Sequence, residues 1–223
     1  MNIKLEKLKE AQKKAKDLFD IIEKENIIRP NISEKQLSSE IYELAKERLE
    51  IKKYWHKKIV RTGPNTIFPY DENPDTLVIK DDDILWIDFG PIFENYEADF
   101  GRTYVLGNNL EKLKLKLTVE NAWNDAKEFY SSKSSITGKE LFNFLEDYAL
   151  NNGYLFGNNI AGHLIDEFSH YKIHKSSPEN YICQENLTDL KASFDNLPRF
   201  WILEVHFIDK NKKFGSFFEQ LLL

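Results

Sequence analysis

The stretch that decides the fold is Ile84-Leu85-Trp86-Ile87-Asp88-Phe89-Gly90, followed closely by Glu97-Ala98-Asp99-Phe100-Gly101-Arg102-Thr103-Tyr104. Apolar residues alternate with other types through the first half, and residues 93–96 carry turn chemistry, so the pattern predicts a β-hairpin. A turn centred on the bond between residues 93 and 94 would place Asp88 directly opposite Asp99, with about 4.5–5.5 Å between their Cβ atoms. Two carboxylates that close destabilise each other, so the hairpin predicts a shared proton, a basic side chain or a metal ion between them.

Three more candidate ligands lie in apolar, strand-like surroundings: His163, Glu204 and Glu219. A turn near Asn211 would pair the last two strands and place Glu204 opposite Glu219. Charged side chains are rarely buried without a partner, and four carboxylates with one imidazole carry a formal charge of about −4, which two divalent cations would cancel. The alternative is a salt-bridge network, which needs buried basic residues. Arg102 is the local candidate, and we expect it to pair with a carboxylate beneath the site.

The order of these residues resembles the ligand set of the pita-bread metallopeptidases, the family of methionine aminopeptidase, Xaa-Pro aminopeptidase and creatinase. The resemblance begins near residue 59 and rests on Gly63-Pro64-Asn65, Asp88-Phe89-Gly90, Asp99-Phe100-Gly101-Arg102-Thr103 and Gly162-His163, followed by the two glutamates. It implies an α+β fold in which an antiparallel sheet carries the ligands on its concave face and helices pack on its outer face.

The resemblance also implies a chemistry for each residue. It implies two divalent ions, among manganese, cobalt, iron and zinc with manganese favoured, and makes Glu204 both a ligand and the catalytic proton carrier. His170 matches the family's second histidine, which contacts the scissile carbonyl. The implied metal ligands are Asp88, Asp99, His163, Glu204 and Glu219.

Two departures from the family pattern concern the substrate pocket. Pro69 stands where the family has a histidine, and His56, which lies upstream, is a candidate to replace it as a catalytic and substrate-binding group. The family's first glutamate is followed by Pro-Gly, whereas here Val205 and His206 follow it. His206 shares a strand face with Glu204, which leaves three roles open: support of a metal ligand, contact with substrate, or packing against the sheet.

At 223 residues the chain is short for the family branches that carry an additional N-terminal domain. We therefore expect one domain over residues 1–223, with N-terminal helices in residues 1–52 and the ligand-bearing core in residues 53–223. The expected reaction is removal of an N-terminal residue from a peptide or cleavage of a dipeptide, including the Xaa-Pro type. Two alternatives stay open: a metal-dependent hydrolase of a small non-peptide C–N substrate, and an inactive binding module.

Composition excludes several other classes. Hydrophobic residues make up 41% of the chain, enough for a core, and the net charge of −6 argues against a nucleic-acid partner. No apolar run approaches the roughly 20 residues that span a bilayer, and the N-terminus lacks the apolar segment of a secretory signal. The single cysteine, Cys183, has no internal disulfide partner. We expect a cytoplasmic protein without a membrane partner, and a homodimer stays open.

The remaining elements follow from periodicity and capping signals. Helices are predicted over residues 3–25, 37–49, 110–132 and 141–151, the second opened by Ser33 with Gln36 and the fourth by Thr137 with Glu140. Strands are predicted over residues 54–61, 77–79, 200–208 and from 154 past 163, whereas residues 175–196 form an irregular polar segment.

Overall fold

The computed structural model describes residues 3–167, 177–194 and 196–223. Within these residues, a seven-stranded antiparallel sheet and a separate two-stranded ribbon are accompanied by four α-helices. The helices are α1 (Ile3–Lys24), α2 (Glu34–Leu49), α3 (Leu110–Ser132) and α4 (Gly138–Asn151). The strands are β1 (Ile59–Thr62), β2 (Ile84–Phe89), β3 (Ile92–Phe93), β4 (Tyr96–Glu97), β5 (Phe100–Val105), β6 (Tyr154–Phe156), β7 (Gly162–Leu164), β8 (Trp201–Asp209) and β9 (Gly215–Leu222).

The sheet order is β1-β2-β5-β9-β8-β6, with β7 also paired to β8, while β3 and β4 form the ribbon. Both predicted helix starts are confirmed. The Ser33 side chain accepts a hydrogen bond from the Gln36 amide at 3.1 Å, and Thr137 and Glu140 form a reciprocal capping box. These caps satisfy amides that the first helical turn leaves unpaired. None of the described helices is long and apolar enough to cross a membrane.

The helices pack mainly on one face of the sheet, although Leu8 of α1 also reaches Ile202 and Leu221 on the other face. Helices α1 and α2 pack on the half that contains β2 and β5, and α3 and α4 pack on the half that contains β8. Trp123 of α3 illustrates the second contact, because its indole donates to the Leu203 carbonyl of β8 at 2.8 Å. Alternate β8 residues face α3 and α4, as predicted: Trp201, Leu203, Val205 and Phe207. The opposite face therefore receives Ile202, Glu204 and His206.

The predicted register of the first hairpin is wrong. Asp88 stands opposite Gly101, not Asp99, because the connecting β3–β4 ribbon turns at Glu94 and Asn95, one residue later than expected. Glu94 adopts a left-handed conformation with φ of 55°, which permits this tight turn. Asp99 lies in the link between β4 and β5. The error moves the pairing by two residues along β5, so the predicted face is unchanged.

Three other predicted strands differ from the structure. The predicted 54–61 strand is confined to Ile59–Thr62, because residues 53–55 pair with residues 90–92 instead of continuing the sheet. The predicted strand at 77–79 is reduced to one bridge, between Val78 and Ser33. The strand expected to run past residue 163 is split into β6 and β7. The polar segment contributes buried Ile182 and Leu190 to the α3–α4 core in its described part.

We expect Thr137→Ala to lower the free energy of unfolding by about 0.5–2 kcal/mol, because it removes the side-chain oxygen that caps α4. Urea unfolding followed by circular dichroism measures this loss. Thr137→Ser keeps the hydroxyl and is the matched control. Equal destabilisation by the two substitutions would show that the cap contributes nothing.

Candidate metal centre

Acidic side chains form a row across the face of the sheet opposite α3 and α4. Asp88 of β2 is opposite Gly101 of β5, Gly101 is opposite Glu219 of β9, and Glu219 is opposite Glu204 of β8. The Glu204–Glu219 pairing confirms the predicted register of the second hairpin. Gly101 leaves room within the row, since a Cβ there would lie 2.4 Å from the Phe217 ring. Asp99, in the link immediately before β5, is the fourth carboxylate, and all four are buried.

His163 reaches this row from β7. Its Nε2 atom lies 3.0 Å from Asp99 Oδ2 and 4.0 Å from Glu219 Oε1. The preceding Gly162 has a φ of 141°, and a Cβ there would be 2.0 Å from the Ile202 carbonyl oxygen. Only glycine therefore allows β7 to approach β8 closely enough to deliver the imidazole.

His56 reaches the carboxylates from the opposite side. The amide of Trp55 donates to the Gly90 carbonyl at 3.0 Å, which holds this segment beside the end of β2. His56 Nε2 then lies 3.2 Å from Asp99 Oδ1 and 3.5 Å from Asp88 Oδ1. The structure thus brings His56 to the acidic row, although it belongs to no helix or strand.

The electrostatics of the cluster are unfavourable without added positive charge. Burial raises the pKa of Asp88 to about 8 against the opposing charge of His56, and burial raises the pKa of Glu204 to about 7. Burial and the neighbouring carboxylates hold the pKa of Glu219 well above its usual range. Burial also acts to raise the pKa of Asp99, but the histidines lower it below its usual range. Because they are buried close to one another, most of these carboxyl groups favour the protonated, neutral form.

The two histidines show the complementary shift. Burial acts to lower the pKa of His56, yet the charges of Asp88 and Asp99 raise it to about 9. Burial likewise opposes charge on His163, but its hydrogen bond to Asp99 raises its pKa.

The donor atoms fit divalent metal ions. Asp88 Oδ1 and Glu219 Oε2 are buried without a hydrogen-bond donor in the described residues, and such oxygens are costly unless a cation or donor compensates them. Two sets of donor atoms lie within 4.8 Å of one another: His56 with Asp88 and Asp99, and Asp99 with His163 and Glu219. Carboxylate oxygens with a few imidazole nitrogens suit first-row divalent ions.

A pocket of about 300 Å³ opens onto the acidic row. Asn158 donates to Glu204 Oε1 at 3.4 Å across its floor. The sequence did not predict several residues of the pocket wall, because they lie in loops without periodicity. Only Tyr70 could have been suspected, since it adjoins Pro69, the position where the family has a substrate-contacting histidine. The walls not already named comprise Trp55, Tyr70, Asp71, Asn158, Asn159, Ile160 and Tyr181.

Two predicted roles differ from what the structure shows. His206 is buried between Trp86 and Phe217, its Nε2 atom lies 2.8 Å from the Thr66 carbonyl oxygen, and burial lowers its pKa to about 4. It does not line the pocket. Its placement supports packing over substrate contact. His206 shares a face with Glu204 but lies two residues further along β8, outside the pocket.

Arg102 was expected to pair with a carboxylate, but no carboxylate in the described part of the chain forms an ion pair with it. It donates to the Glu219 main-chain carbonyl at 2.8 Å and to the Gln220 side chain, and its guanidinium lies between the rings of Phe100 and Phe218. It therefore braces β9 beside Glu219 instead of neutralising the acids. His170, the other predicted site residue, lies outside the described residues.

Comparisons with known proteins place these features in context. A model of metallopeptidase family M24 matches residues 6–195. An uncharacterized peptidase from Methanocaldococcus jannaschii is 32% identical over 120 residues, which are 53% of this chain and 32% of that protein.

Solved structures of peptidases share the fold. The X-Pro aminopeptidase from Thermotoga maritima has a TM-score of 0.75 and 25% identity over 97% of this chain and 56% of its own. Methionine aminopeptidase from Rickettsia prowazekii has a TM-score of 0.73 and 17% identity over 97% and 91%. The predicted pita-bread fold is confirmed. The chain spans about a third of the curated relative and about half of the X-Pro aminopeptidase chain.

We expect the metal-free protein to melt at a lower temperature at pH 9 than at pH 6. The pKa values of Asp88 and Glu204, about 8 and about 7, exceed those of an unfolded chain near 4. The stability they contribute is therefore complete below the unfolded values and is lost as pH rises through the folded ones. Thermal melts in chelator from pH 5 to pH 9 measure this loss.

The double variant Glu204→Gln/Glu219→Gln removes two of the titrating groups and should flatten the pH dependence. Addition of a divalent metal to the wild-type protein at pH 9 should raise its melting temperature back toward the value at pH 6, because the metal binds the folded state. A melting temperature that is constant or rises over this interval contradicts the electrostatic account.

Proposed function

We propose, from the premise that this chain belongs to metallopeptidase family M24, that it is a dinuclear metal-dependent aminopeptidase. Its proposed reaction is the removal of an N-terminal residue from a peptide or the cleavage of a dipeptide, Xaa-Pro substrates included. One observation carries the proposal: buried carboxylates, two of whose oxygens accept no hydrogen bond from the described residues, stand beside His163 at the floor of an open pocket. Such an arrangement is unfavourable for a structural core and suits a reaction centre that holds cations.

The residues proposed to hold the metal are Asp88, Asp99, His163, Glu204 and Glu219. Two divalent ions there, with manganese favoured over cobalt, iron and zinc, would polarise a scissile carbonyl and lower the pKa of a bound water. Main-chain pairing in the two hairpins fixes Asp88, Glu204 and Glu219, and the pairing of β7 with β8 fixes His163, so little reorganisation is needed when substrate binds.

Glu204 is the proposed proton carrier. It lines the pocket, and Asn158 donates to its Oε1 atom, which orients the carboxylate toward the open side. In this role Glu204 accepts a proton from the attacking water and delivers it to the leaving amine. His170 is proposed, on the family resemblance, to contact the scissile carbonyl.

The pocket supports a small substrate. Its volume of about 300 Å³ is at the lower end of the range of ligand pockets, which is compatible with one residue or a dipeptide. Trp55, Tyr70 and Tyr181 supply aromatic surface beside the polar floor. Apolar walls with a few convergent polar groups are typical of sites that orient a ligand for reaction.

A second candidate is a metal-dependent hydrolase that acts on a small non-peptide C–N bond. The small pocket and the loss of the family histidine at Pro69 favour it, because both leave less provision for a peptide chain. An inactive binding module is disfavoured, since all five proposed ligands are present and four of them are drawn together by strand pairing. The cytoplasmic location and a homodimer stay predictions from the sequence.

The test is hydrolysis by purified protein loaded with manganese, with chelated protein beside it. The substrate panel contains peptides with free N-termini, Xaa-Pro peptides, dipeptides, N-acetylated peptides and small amides. We expect metal-dependent cleavage of free-amine substrates and none of their acetylated counterparts. Cleavage of small amides alone would select the second candidate, and no cleavage at all would reject both.

We expect Glu204→Gln to lower kcat by about 10²-fold or more, because glutamine cannot carry the proton. Glu128→Gln, an exposed change on α3, is the charge-matched control and should leave kcat unchanged. Steady-state kinetics on the best substrate measure both. An unaltered kcat in Glu204→Gln would remove that residue from the proposed mechanism.

A further inference from the structure

We infer that His56 is a sixth metal ligand, so that the centre carries one imidazole on each side of Asp99. The inference rests on the proposed metal centre and deepens it. It also replaces the expectation from the sequence that His56 contacts substrate in place of the histidine missing at Pro69.

The first support is the spacing of the donor atoms. His56 Nε2 is 3.2 Å from Asp99 Oδ1 and 3.5 Å from Asp88 Oδ1. Bonds of about 2.0–2.2 Å to one ion place neighbouring ligand atoms roughly 2.8–3.6 Å apart, at right or tetrahedral angles. Both oxygens therefore lie at ligand-like distances from His56 Nε2, and the donor atoms of the three residues lie within 4.8 Å of one another. Asp88 Oδ1, moreover, is buried without a hydrogen-bond donor in the described residues.

The second support is the likeness between His56 and His163. Each ring places Nδ1 against the carbonyl of the next residue, Lys57 at 2.5 Å and Leu164 at 2.9 Å. An Nδ1–H that donates to a main-chain carbonyl leaves the Nε2 lone pair free, as metal-bound histidines require. The two Nε2 atoms approach different oxygens of Asp99, Oδ1 for His56 and Oδ2 for His163. Asp99 thus has one imidazole at each oxygen.

The third support is how firmly the ring is held. The indole of Trp55 donates to the Ala98 carbonyl at 3.0 Å and its ring lies against the His56 ring, with 4.3 Å between centroids. A Cβ on Gly90 would fall 2.3 Å from His56 Nε2, so the ring occupies space that only glycine leaves open.

The exposure of the ring separates a ligand from a substrate contact. The His56 side chain is 1% exposed, whereas Tyr70, whose ring centroid is 5.6 Å away, is 44% exposed at the same pocket. A residue that meets substrate needs accessible surface, and Tyr70 has it. His56 borders the pocket, but its side chain is almost fully covered, and its Nε2 atom faces Asp88 and Asp99.

The experiment compares wild type, His56→Ala and His56→Gln, with Tyr70→Phe as a control that retains an aromatic neighbour. Each protein is titrated with cobalt(II), which is followed by visible absorption, and bound metal is counted by plasma mass spectrometry after desalting. We expect about two ions in the wild type and a roughly 10–100-fold weaker affinity for one of them in His56→Ala, with a changed absorption band. Tyr70→Phe should match the wild type, and His56→Gln should recover part of the affinity through its amide oxygen.

The outcomes distinguish this inference from the proposed function. Two ions with the same affinity and spectrum in wild type and both His56 variants would overturn the ligand role and leave the metal centre intact. No metal in the wild type would reject the proposed centre itself. If the His56 variants do not fold, nitrogen-15 histidine spectra of the zinc-loaded wild type decide the question. Two metal-bound Nε2 signals are expected, and a single one would overturn the inference.

Discussion

The burial of four carboxylates in one small volume is the constraint on which the rest of this structure depends. Two antiparallel hairpins impose it, because β2–β5 and β8–β9 pairing fixes Asp88, Glu219 and Glu204 across adjacent strands. Gly101 occupies the remaining place in the row and keeps it from being filled by a side chain. Main-chain hydrogen bonds hold the carboxylates close together although they repel each other. A bound cation would relieve this repulsion and would therefore stabilise the folded protein.

The two faces of the sheet have different roles: one packs against helices and stabilises the fold, and the other carries the acidic row. Alternate residues of β8 pack on α3 and α4, and the intervening residues face the acidic row. A strand that is apolar on its helical side can therefore carry Glu204 without disturbing the core. The pocket walls are built differently: Tyr70, Asn158 and Tyr181 come from connecting segments that the rigid sheet positions. Substrate preference can thus vary in the loops while the acidic row stays fixed.

Some of this arrangement could be predicted from the sequence, and the reasons are local. The short turn between β8 and β9 fixes the Glu204–Glu219 pairing, so counting residues was sufficient. The same count failed for Asp88 because the turn centre lies one residue further along, yet the two-residue shift preserves the strand face. The strand face alone left the role of His206 open, since it does not specify position along a strand. His56 was a candidate, but the predicted strand over residues 54–61 did not place it, because residues 53–55 pair with residues 90–92. Tyr181 lies in a segment without periodicity, and only the tertiary fold brings it to the pocket.

As a metal ligand, His56 would change the donor chemistry of the centre more than its geometry. The family pattern supplies one imidazole, and a second would make the donor set richer in nitrogen around the ion nearest Asp88. Imidazole suits zinc, iron and cobalt, whereas a site of oxygens alone suits manganese and magnesium. The expectation of manganese was based on the oxygen-rich set without His56. With His56 included as proposed, two ions would each have one imidazole and would share Asp99, and this donor set would favour the borderline metals over manganese.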